Sequence, residues 1–245
     1  MRLYLIRHGQ SENNILTHDT INLRKADPNL TDIGQQQAAA VADYLCTNVE
    51  MPPGNFGMQQ QPGKGNFGIT HLYTSAMRRT LQTTAPIAKA LNMQPQIWTD
   101  LHEHGGIWLE DDAGTVTGYG GMTRQQISEE FEGYAIPDNL TDAGWWRAPG
   151  GRETVDAFLG RAIRVALELQ KRSKSDDCIV LVAHAAFLDG LIKALLGQIP
   201  RHPGELFYAH YNTGITRFDF EDGIDRMRLH YLNRVEHLSP ELRSW

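Results

Sequence analysis

The chain of 245 residues is 41% hydrophobic and has a formal net charge of −6, which predicts one α/β domain over residues 1–245 with a large core. The negative charge, without a strongly basic stretch, argues against a nucleic-acid partner, and the lack of a long apolar run argues against a signal peptide or a membrane contact. The two cysteines, Cys46 and Cys178, form no CxxC pair, so we expect a reduced, cytoplasmic protein, with a disulfide between the two as the alternative.

The first predicted element is a strand at residues 1–7, whose apolar run ends in Arg7, His8 and Gly9. In open α/β sheets the ends of parallel strands face a crevice in which ligands bind. An arginine guanidinium is a planar fork of donors that suits phosphate, and a neutral imidazole can act as a nucleophile. A strand that ends in ordinary solvated residues is the alternative, and this triplet alone favours it. The polar stretch 13–29 is expected to loop over the site.

Helices and strands alternate along the rest of the chain. The predicted elements are a helix capped by Thr31, a strand at 69–74, a helix capped by Thr74 or Ser75 and reaching residue 91, a short strand at 96–98, a helix at 154–172, a strand at 179–183, a helix at 187–196, and a hairpin of 214–220 with 227–232 around Asp222 and Gly223. This alternation predicts a mostly parallel sheet with helices on both faces and an antiparallel strand late in the chain.

Two segments interrupt this pattern. Residues 51–68 are rich in Gly, Pro and Gln, and such a composition buries too little apolar area to offset the entropy of an ordered chain. We therefore predict a surface insertion there. Residues 102–150 are broken by glycines, with a short helix at 123–131, and are expected to form a second, substrate-side insertion across the ligand end of the sheet.

Four further short motifs accompany the first one, in a fixed order along the chain. They are Pro28-Asn29-Leu30-Thr31, Ser75 followed by Arg79, Leu101-His102-Glu103, and His184 at the end of an apolar strand. Together with Arg7-His8-Gly9-Gln10-Ser11 they resemble the histidine phosphatase superfamily, which has the phosphoglycerate-mutase-like fold, over residues 1 to about 220. The ordered set is far more specific than any one triplet.

The resemblance implies a role for each matching residue. His8 is expected to be the nucleophile that forms a phosphohistidine, its other ring nitrogen donating to a backbone carbonyl. Arg7, Arg79 and His184 are expected to hold the phosphoryl oxygens, and Ser11 and Asn14 also match phosphate-contacting positions. Glu103 matches the acid that protonates the leaving alcohol and later accepts a proton from water. The resemblance implies no cofactor and no metal.

Several residues have an alternative interpretation. Arg79 could be a surface cation of its helix, as Arg78 is expected to be, and His184 could be a buried histidine bonded to the backbone. His102, Glu103 and His104 could belong to a metal site, although they lack the HExxH spacing that places two imidazoles on one helix face.

Two positions depart from the family pattern. Ala185 stands where the family usually has glycine, and it would be strained if that position needs a positive φ, but harmless if it opens a helix. Arg152 stands where a small residue is usual, which leaves the role of residues 150–154 open.

The resemblance covers phosphatases and mutases. Mutases of the superfamily carry additional cations after the catalytic glutamate, whereas here Glu103 is followed by His104, Gly105 and Gly106. Water is therefore the expected acceptor, and we expect a phosphatase acting on a small phosphomonoester, with a phosphoprotein substrate left open. A mutase is the second hypothesis, and a catalytically weak phosphate-binding module is the third, because a fold alone does not determine function. The sequence leaves the oligomeric state open.

Overall fold

The computed structural model describes residues 1–48, 50, 67–199, 206–221 and 226–245. Within these ranges, strands and helices alternate along the chain. In chain order they are β1 (Arg2–Arg7), α1 (Asp32–Thr47), β2 (His71–Thr74), α2 (Arg78–Leu91), β3 (Gln96–Ile97), β4 (Trp108–Glu110), β5 (Val116–Gly118), α3 (Arg124–Glu130), α4 (Val155–Lys171), β6 (Cys178–Ala183), α5 (Ala185–Leu195), β7 (Ile215–Phe220) and β8 (Met227–Arg234).

The central sheet has six strands in the order β3-β2-β6-β1-β7-β8. Strands β3, β2, β6 and β1 are parallel, while β7 is antiparallel to β1 and to β8. The register pairs Arg7 with Ala183, and Thr74 with Val182. Because these parallel strands end at the same edge, the residues that follow them come together there. The predicted hairpin of β7 and β8 is confirmed, and its turn at Asp222 and Gly223 lies outside the described residues.

Helices cover both faces of the sheet, as predicted. Leu3 and Leu5 of β1 pack on one face with residues of α4 and α5. Tyr4 and Ile6 pack on the other face with residues of α1 and α2. Side chains alternate between the faces of a strand, so β1 is apolar throughout because both of its faces are covered. Within the described ranges, no helix is long and apolar enough to cross a membrane.

The predicted cap of α1 is confirmed, the predicted cap of α2 is wrong, and α4 is capped by Thr154, where its helix was predicted to begin. Thr31 accepts a hydrogen bond from Gly34 N at 3.1 Å, and Thr154 accepts one from Ala157 N at 3.3 Å. The prediction that Thr74 or Ser75 caps α2 is wrong, because that helix begins at Arg78 after Met77. The Ser75 hydroxyl instead accepts from Met77 N within the turn that precedes the helix.

The second insertion packs beside the start of α2. It contains the antiparallel pair β4 and β5 and the helix α3, whose Ile127 packs with Leu81 of α2. Met77 packs with Ile107 and Trp146 of the same insertion. These contacts place the insertion at the sheet edge where β1, β2 and β6 end. Most of the first predicted insertion, residues 51–66, lies outside the described residues.

Candidate active site

Three polar residues that follow parallel strands meet at the edge of the sheet. His8 follows β1, Ser75 follows β2 and His184 follows β6. The rings of His8 and His184 have centroids 5.1 Å apart, and Nε2 of His184 lies 3.0 Å from Oγ of Ser75. His8 is 3% exposed and His184 is fully buried. Neither is a solvated residue at a strand end, so that alternative interpretation is wrong.

The hydrogen bonds of His8 define its protonation state. Nδ1 lies 2.7 Å from the carbonyl oxygen of Gly9, and Nε of Arg79 donates to Nε2 at 3.1 Å. Because an arginine nitrogen can only donate, Nε2 must offer its lone pair and Nδ1 must carry the proton. Burial, followed by the charges of Arg79 and Arg7, lowers the pKa of His8 well below its ordinary value. His8 is therefore a neutral imidazole with an available lone pair on Nε2.

Close backbone packing holds the turn after His8 in place. A Cβ at Gly9 would lie 2.6 Å from the carbonyl oxygen of Gly34, at the start of α1, so this turn requires glycine. The Gly9 N–H donates to Oγ1 of Thr83 at 3.0 Å, and that hydroxyl donates to the Arg79 carbonyl at 2.7 Å. The turn that follows His8 and the residue Arg79 are thus attached to the same turn of α2. Thr83 was not identified from the sequence.

Arg7 is buried beside His8. Its Nη1 donates to the carbonyl oxygen of His210 at 2.6 Å, and burial lowers the pKa of Arg7 to about 10. Among the described residues its buried Nε has no hydrogen-bond partner. The His210 ring contacts the Tyr208 carbonyl and the Thr216 hydroxyl, at 2.9 and 2.7 Å. The loop before β7 therefore holds Arg7 while leaving one of its donors without a protein acceptor.

A buried carboxylate faces Arg79 from the polar loop. Asp27 accepts hydrogen bonds from the backbone N–H of Arg78 at 3.1 and 3.3 Å, and its Oδ1 lies 3.9 Å from Nη1 of Arg79. Burial raises the pKa of Asp27 to about 6. Arg78 itself pairs with Glu130 on the surface, as expected, whereas Arg79 is 8% exposed. Asp27 immediately precedes the Pro28 motif, which was the only sequence signal that pointed to it.

Glu103 lies at the start of α5, close to His184. Its Oε1 accepts from the backbone N–H groups of His104 and Phe187, both at 2.9 Å, and its Oε2 accepts from Ala186 N at 3.3 Å. Burial lowers the pKa of both Arg7 and Arg79, and the charge of Glu103, when it is ionised, offsets part of that lowering. The structure thus brings Glu103 to the same charged cluster as His8.

A buried ion pair supports the segment that carries Glu103. Arg161 of α4 binds Glu153 through Nε and Nη2, at 2.8 and 2.6 Å. Its Nη1 donates to the carbonyl oxygens of Asp100 and His102, at 2.8 and 2.9 Å. Arg161 therefore ties α4 to the residues just before Glu103. Within residues 150–154, where Arg152 departs from the family pattern, Glu153 therefore has a structural role as the ion-pair partner of Arg161.

The remaining predicted residues have clear positions. Oγ and N of Ser11 both donate to Oδ1 of Asn14, at 2.8 and 2.9 Å, so these two residues bind each other, and their contact with phosphate stays a prediction. Ala185 is the first residue of α5, where a helical backbone suits alanine without strain. His104 packs on Phe158, with centroids 4.6 Å apart, and nowhere in the described ranges do three His, Cys, Asp or Glu side chains form a metal-binding group.

Comparison with known families decides the classification. The profile of the histidine phosphatase superfamily (branch 1) matches residues 3–51 and 64–233. The chain belongs to the histidine phosphatase superfamily. Its relatives include phosphatases: a glucosyl-3-phosphoglycerate phosphatase of Mycolicibacterium vanbaalenii is 28% identical over 80% of this chain and 74% of its own.

Two further similarities show the range of this superfamily. A protein named "Probable phosphoglycerate mutase GpmB", from Yersinia enterocolitica, is 26% identical over 91% of this chain and 86% of its own. The phosphoserine phosphatase of Entamoeba histolytica, solved in complex with 3-phosphoglyceric acid, has a TM-score of 0.56 at 21% identity, covering 97% of this chain and 99% of its own. The structural similarity supports the histidine phosphatase fold.

Proposed function

We propose that this histidine phosphatase hydrolyses small phosphomonoesters through a phosphohistidine on His8. The observation that carries the proposal is the unprotonated Nε2 of His8, surrounded by Arg7, Arg79 and His184. A phosphoryl group carries negative charge on its equatorial oxygens during transfer, and cationic donors stabilise that charge in a buried site. Arg79 supplies one of those cations, and Arg7, whose Nε has no acceptor among the described residues, supplies the other.

The reaction has two displacements at phosphorus. In the first, Nε2 of His8 forms a bond to phosphorus as the bond to the substrate oxygen breaks, and Glu103 gives its proton to that oxygen. In the second, water attacks the phosphohistidine, Glu103 takes the proton from water, and the bond from phosphorus to Nε2 breaks. Phosphate is released, His8 is again neutral and Glu103 is again protonated, so the cycle closes.

Arg79 must change partner when the substrate binds. In the free protein its Nε–H points at the lone pair that attacks phosphorus. A bound phosphoryl group offers a negatively charged acceptor in the same place, and a charge-assisted hydrogen bond to it is stronger than one to a neutral imidazole. The donor therefore passes to the phosphoryl oxygen and frees Nε2 of His8.

Water is the proposed acceptor, rather than a second phosphorylated metabolite. The residues after Glu103 are His104, Gly105 and Gly106, which supply no arginine for a bisphosphate intermediate. Similarity to named phosphatases supports this choice, while similarity to a mutase keeps phosphotransfer as the competing hypothesis. The named relatives also support a small phosphorylated substrate over a phosphoprotein.

Covalent labelling of His8 tests the proposal. A substrate with a radioactive phosphoryl group, quenched in alkali during the first turnover, should leave a label that is stable in base and lost in acid. We expect the label to disappear in His8→Ala and to persist in His18→Ala, which removes an exposed histidine with no contact to the site. A label of the same amount in His8→Ala would contradict the assignment.

The proposed mechanism uses side-chain cations alone. Activity should therefore persist in excess chelator. Activity that is lost with chelator and restored by a divalent ion would contradict a metal-independent reaction.

A further inference from the structure

Two arginines that are distant in sequence meet on one tryptophan of the second insertion. The guanidinium carbon of Arg24 lies 4.5 Å from the centroid of the Trp108 ring, and that of Arg152 lies 4.0 Å from it. Both distances are within the range of a cation–π contact. Nη1 of Arg24 also donates to the carbonyl oxygen of Trp108 at 2.8 Å. The polar loop, the insertion and the start of α4 thus converge at this ring.

This cluster continues the positive charge of the active site. Burial lowers the pKa of Arg24, and the charges of Arg79 and Arg152 lower it further. Neither Arg24 nor Arg152 forms an ion pair with an Asp or Glu of the described residues within 4.0 Å. Repulsion between like charges in a protein with a net charge of −6 is a cost that a bound anion would remove.

The position of Trp108 relates the cluster to the leaving-group side of the site. Gly105, two residues after Glu103, has a φ of +91°, and a Cβ there would lie 2.5 Å from Nε1 of Trp108. Only glycine lets the indole pack this closely on the segment that follows the proposed acid. The charge of Arg152 also acts on His104, whose pKa is lowered mainly by burial. The arginine pair therefore lies beside Glu103, where the alcohol part of a substrate must be.

We infer that Arg24 and Arg152, supported by Trp108, bind a second anionic group on the alcohol part of the substrate. Guanidinium groups bind carboxylate and phosphate through paired hydrogen bonds, so either group fits. The substrate class is then a phosphomonoester of a short acidic alcohol, bearing a carboxylate or another phosphate. This inference rests on the proposed function, because it takes the phosphoryl group to bind at His8.

Binding to the catalytically inert His8→Ala protein tests the inference without turnover. Three probes share a three-carbon phosphomonoester and differ at the other end: 3-phosphoglycerate has a carboxylate, glycerol 1,3-bisphosphate a phosphate, and glycerol 3-phosphate a neutral hydroxymethyl group. By calorimetry we expect at least one anionic probe to bind about tenfold more tightly than glycerol 3-phosphate, equivalent to about 1.4 kcal/mol. The tighter of the two anionic probes identifies the preferred group.

Further substitutions in the His8→Ala protein test whether Arg24 and Arg152 are the source of the preference for an anionic probe. Adding Arg24→Gln or Arg152→Gln should reduce the ratio of the two affinities by about threefold, and adding both should abolish the roughly tenfold preference. The matched control is Arg147→Gln, an arginine of the same insertion whose side chain donates to Thr141 Oγ1. That variant should keep the ratio. No preference for an anionic probe in the parent, or a preference that survives the double substitution, would overturn the inference.

A kinetic measurement separates this inference from the proposed function. With His8 intact, the ratio of kcat/KM for the preferred anionic probe to that for glycerol 3-phosphate should fall in Arg24→Gln and in Arg152→Gln. An unchanged ratio, with His8 still labelled, would reject the anion site and leave the phosphohistidine mechanism standing. Absence of the His8 label would reject the mechanism, while the calorimetric preference would still decide the anion site.

Discussion

Nε of Arg79 donates a hydrogen bond to Nε2 of His8 across 3.1 Å, so a cation occupies the direction from which phosphorus approaches in the proposed reaction. The contact keeps His8 unprotonated, because a proton on Nε2 would oppose both the N–H group and the positive charge of Arg79. It also places the donor that we propose to bind phosphate beside the proposed nucleophile. In the proposed mechanism, one contact therefore sets the protonation state of His8 and positions a group that binds the substrate.

We expect His8 to stay neutral from about pH 5.5 to pH 8, the range in which an ordinary histidine titrates. Burial and the charges of Arg79 and Arg7 all lower its pKa. Arg79→Met removes one of these charges and the N–H donor, so the pKa of His8 should rise. NMR chemical shifts of the imidazole nitrogens and carbons would report the neutral state of His8 in the parent and its raised pKa in Arg79→Met. The His8 signals would be assigned by their absence in His8→Gln. A His8 resonance titrating near pH 6.5 in the unsubstituted protein would contradict this prediction.

Asp27→Asn should stabilise the protein at neutral pH. The pKa of Asp27 is raised from 3.8 to about 6, so the folded state keeps a proton that the unfolded chain loses. The contribution of Asp27 to the free energy of unfolding is therefore fully present below about pH 4 and is lost as the pH rises through about 6. The loss is roughly 3 kcal/mol. Asparagine keeps an oxygen acceptor for Arg78 N and does not titrate. In urea unfolding, the free energy of unfolding of the variant relative to that of the parent should increase by about this amount between pH 4 and pH 7.

The same substitution should reduce activity. Asp27 faces Arg79 at 3.9 Å, and asparagine removes the charge that orients that guanidinium. Misplacement of a catalytic group by about 1 Å can cost up to about 10²-fold in rate, so we expect a fall in kcat/KM within that limit. A variant whose stability difference does not depend on pH would contradict the raised pKa of Asp27.

Glu153→Gln should destabilise the protein strongly. Glu153 and Arg161 are a buried pair with side chains 6% and 2% exposed, and removal of one partner leaves an uncompensated buried charge. Such a loss typically costs about 3–5 kcal/mol. The matched control is Glu168→Gln, which breaks the exposed pair of Glu168 with Lys171 on the same helix and should cost less than about 1 kcal/mol. Equal losses in urea unfolding would contradict a specific role for the buried pair.

The sequence predicted the parts of the site that follow from strand ends. His8 and His184 each follow a predicted strand, and parallel pairing brings such residues to one edge. The start of α2 was placed too early, because the Ser75 hydroxyl looks like a helix cap in sequence but serves the preceding turn and contacts His184. A local pattern cannot show which of two partners a hydroxyl will bind.

The supporting residues could not be predicted in the same way. Asp27 faces Arg79, and Arg161 donates to the Asp100 carbonyl, in each case across more than 50 residues of the sequence, and no local sequence pattern indicates either contact. Arg152 was noted only as a departure from the family, and Arg24 only as part of a polar loop. Their meeting on Trp108 depends on how the insertion folds, which composition and spacing do not determine.

The last prediction concerns the role of Glu103 as the acid. General acid catalysis matters most when the leaving group is a strong base, and it contributes about 10²–10⁴-fold. Glu103→Gln should keep the two 2.9 Å hydrogen bonds to Oε1, from His104 N and Phe187 N, so the side chain should stay in place. The variant should therefore lose phosphorylation rate on an alkyl phosphate far more than on para-nitrophenyl phosphate, which expels a weak base.

Arg79→Ala provides the contrast, because it removes a cation that both reactions need on the phosphoryl oxygens. It should slow phosphorylation by both substrates alike. The pre-steady-state burst is the measurement, since slow hydrolysis of the phosphohistidine would mask the difference in steady state. Equal burst losses on the two substrates in Glu103→Gln would mean that Glu103 is not the acid. His104 would then be the next candidate, because its Nε2 has no hydrogen-bond partner among the described residues, whereas burial lowers the pKa of His102 to about 3.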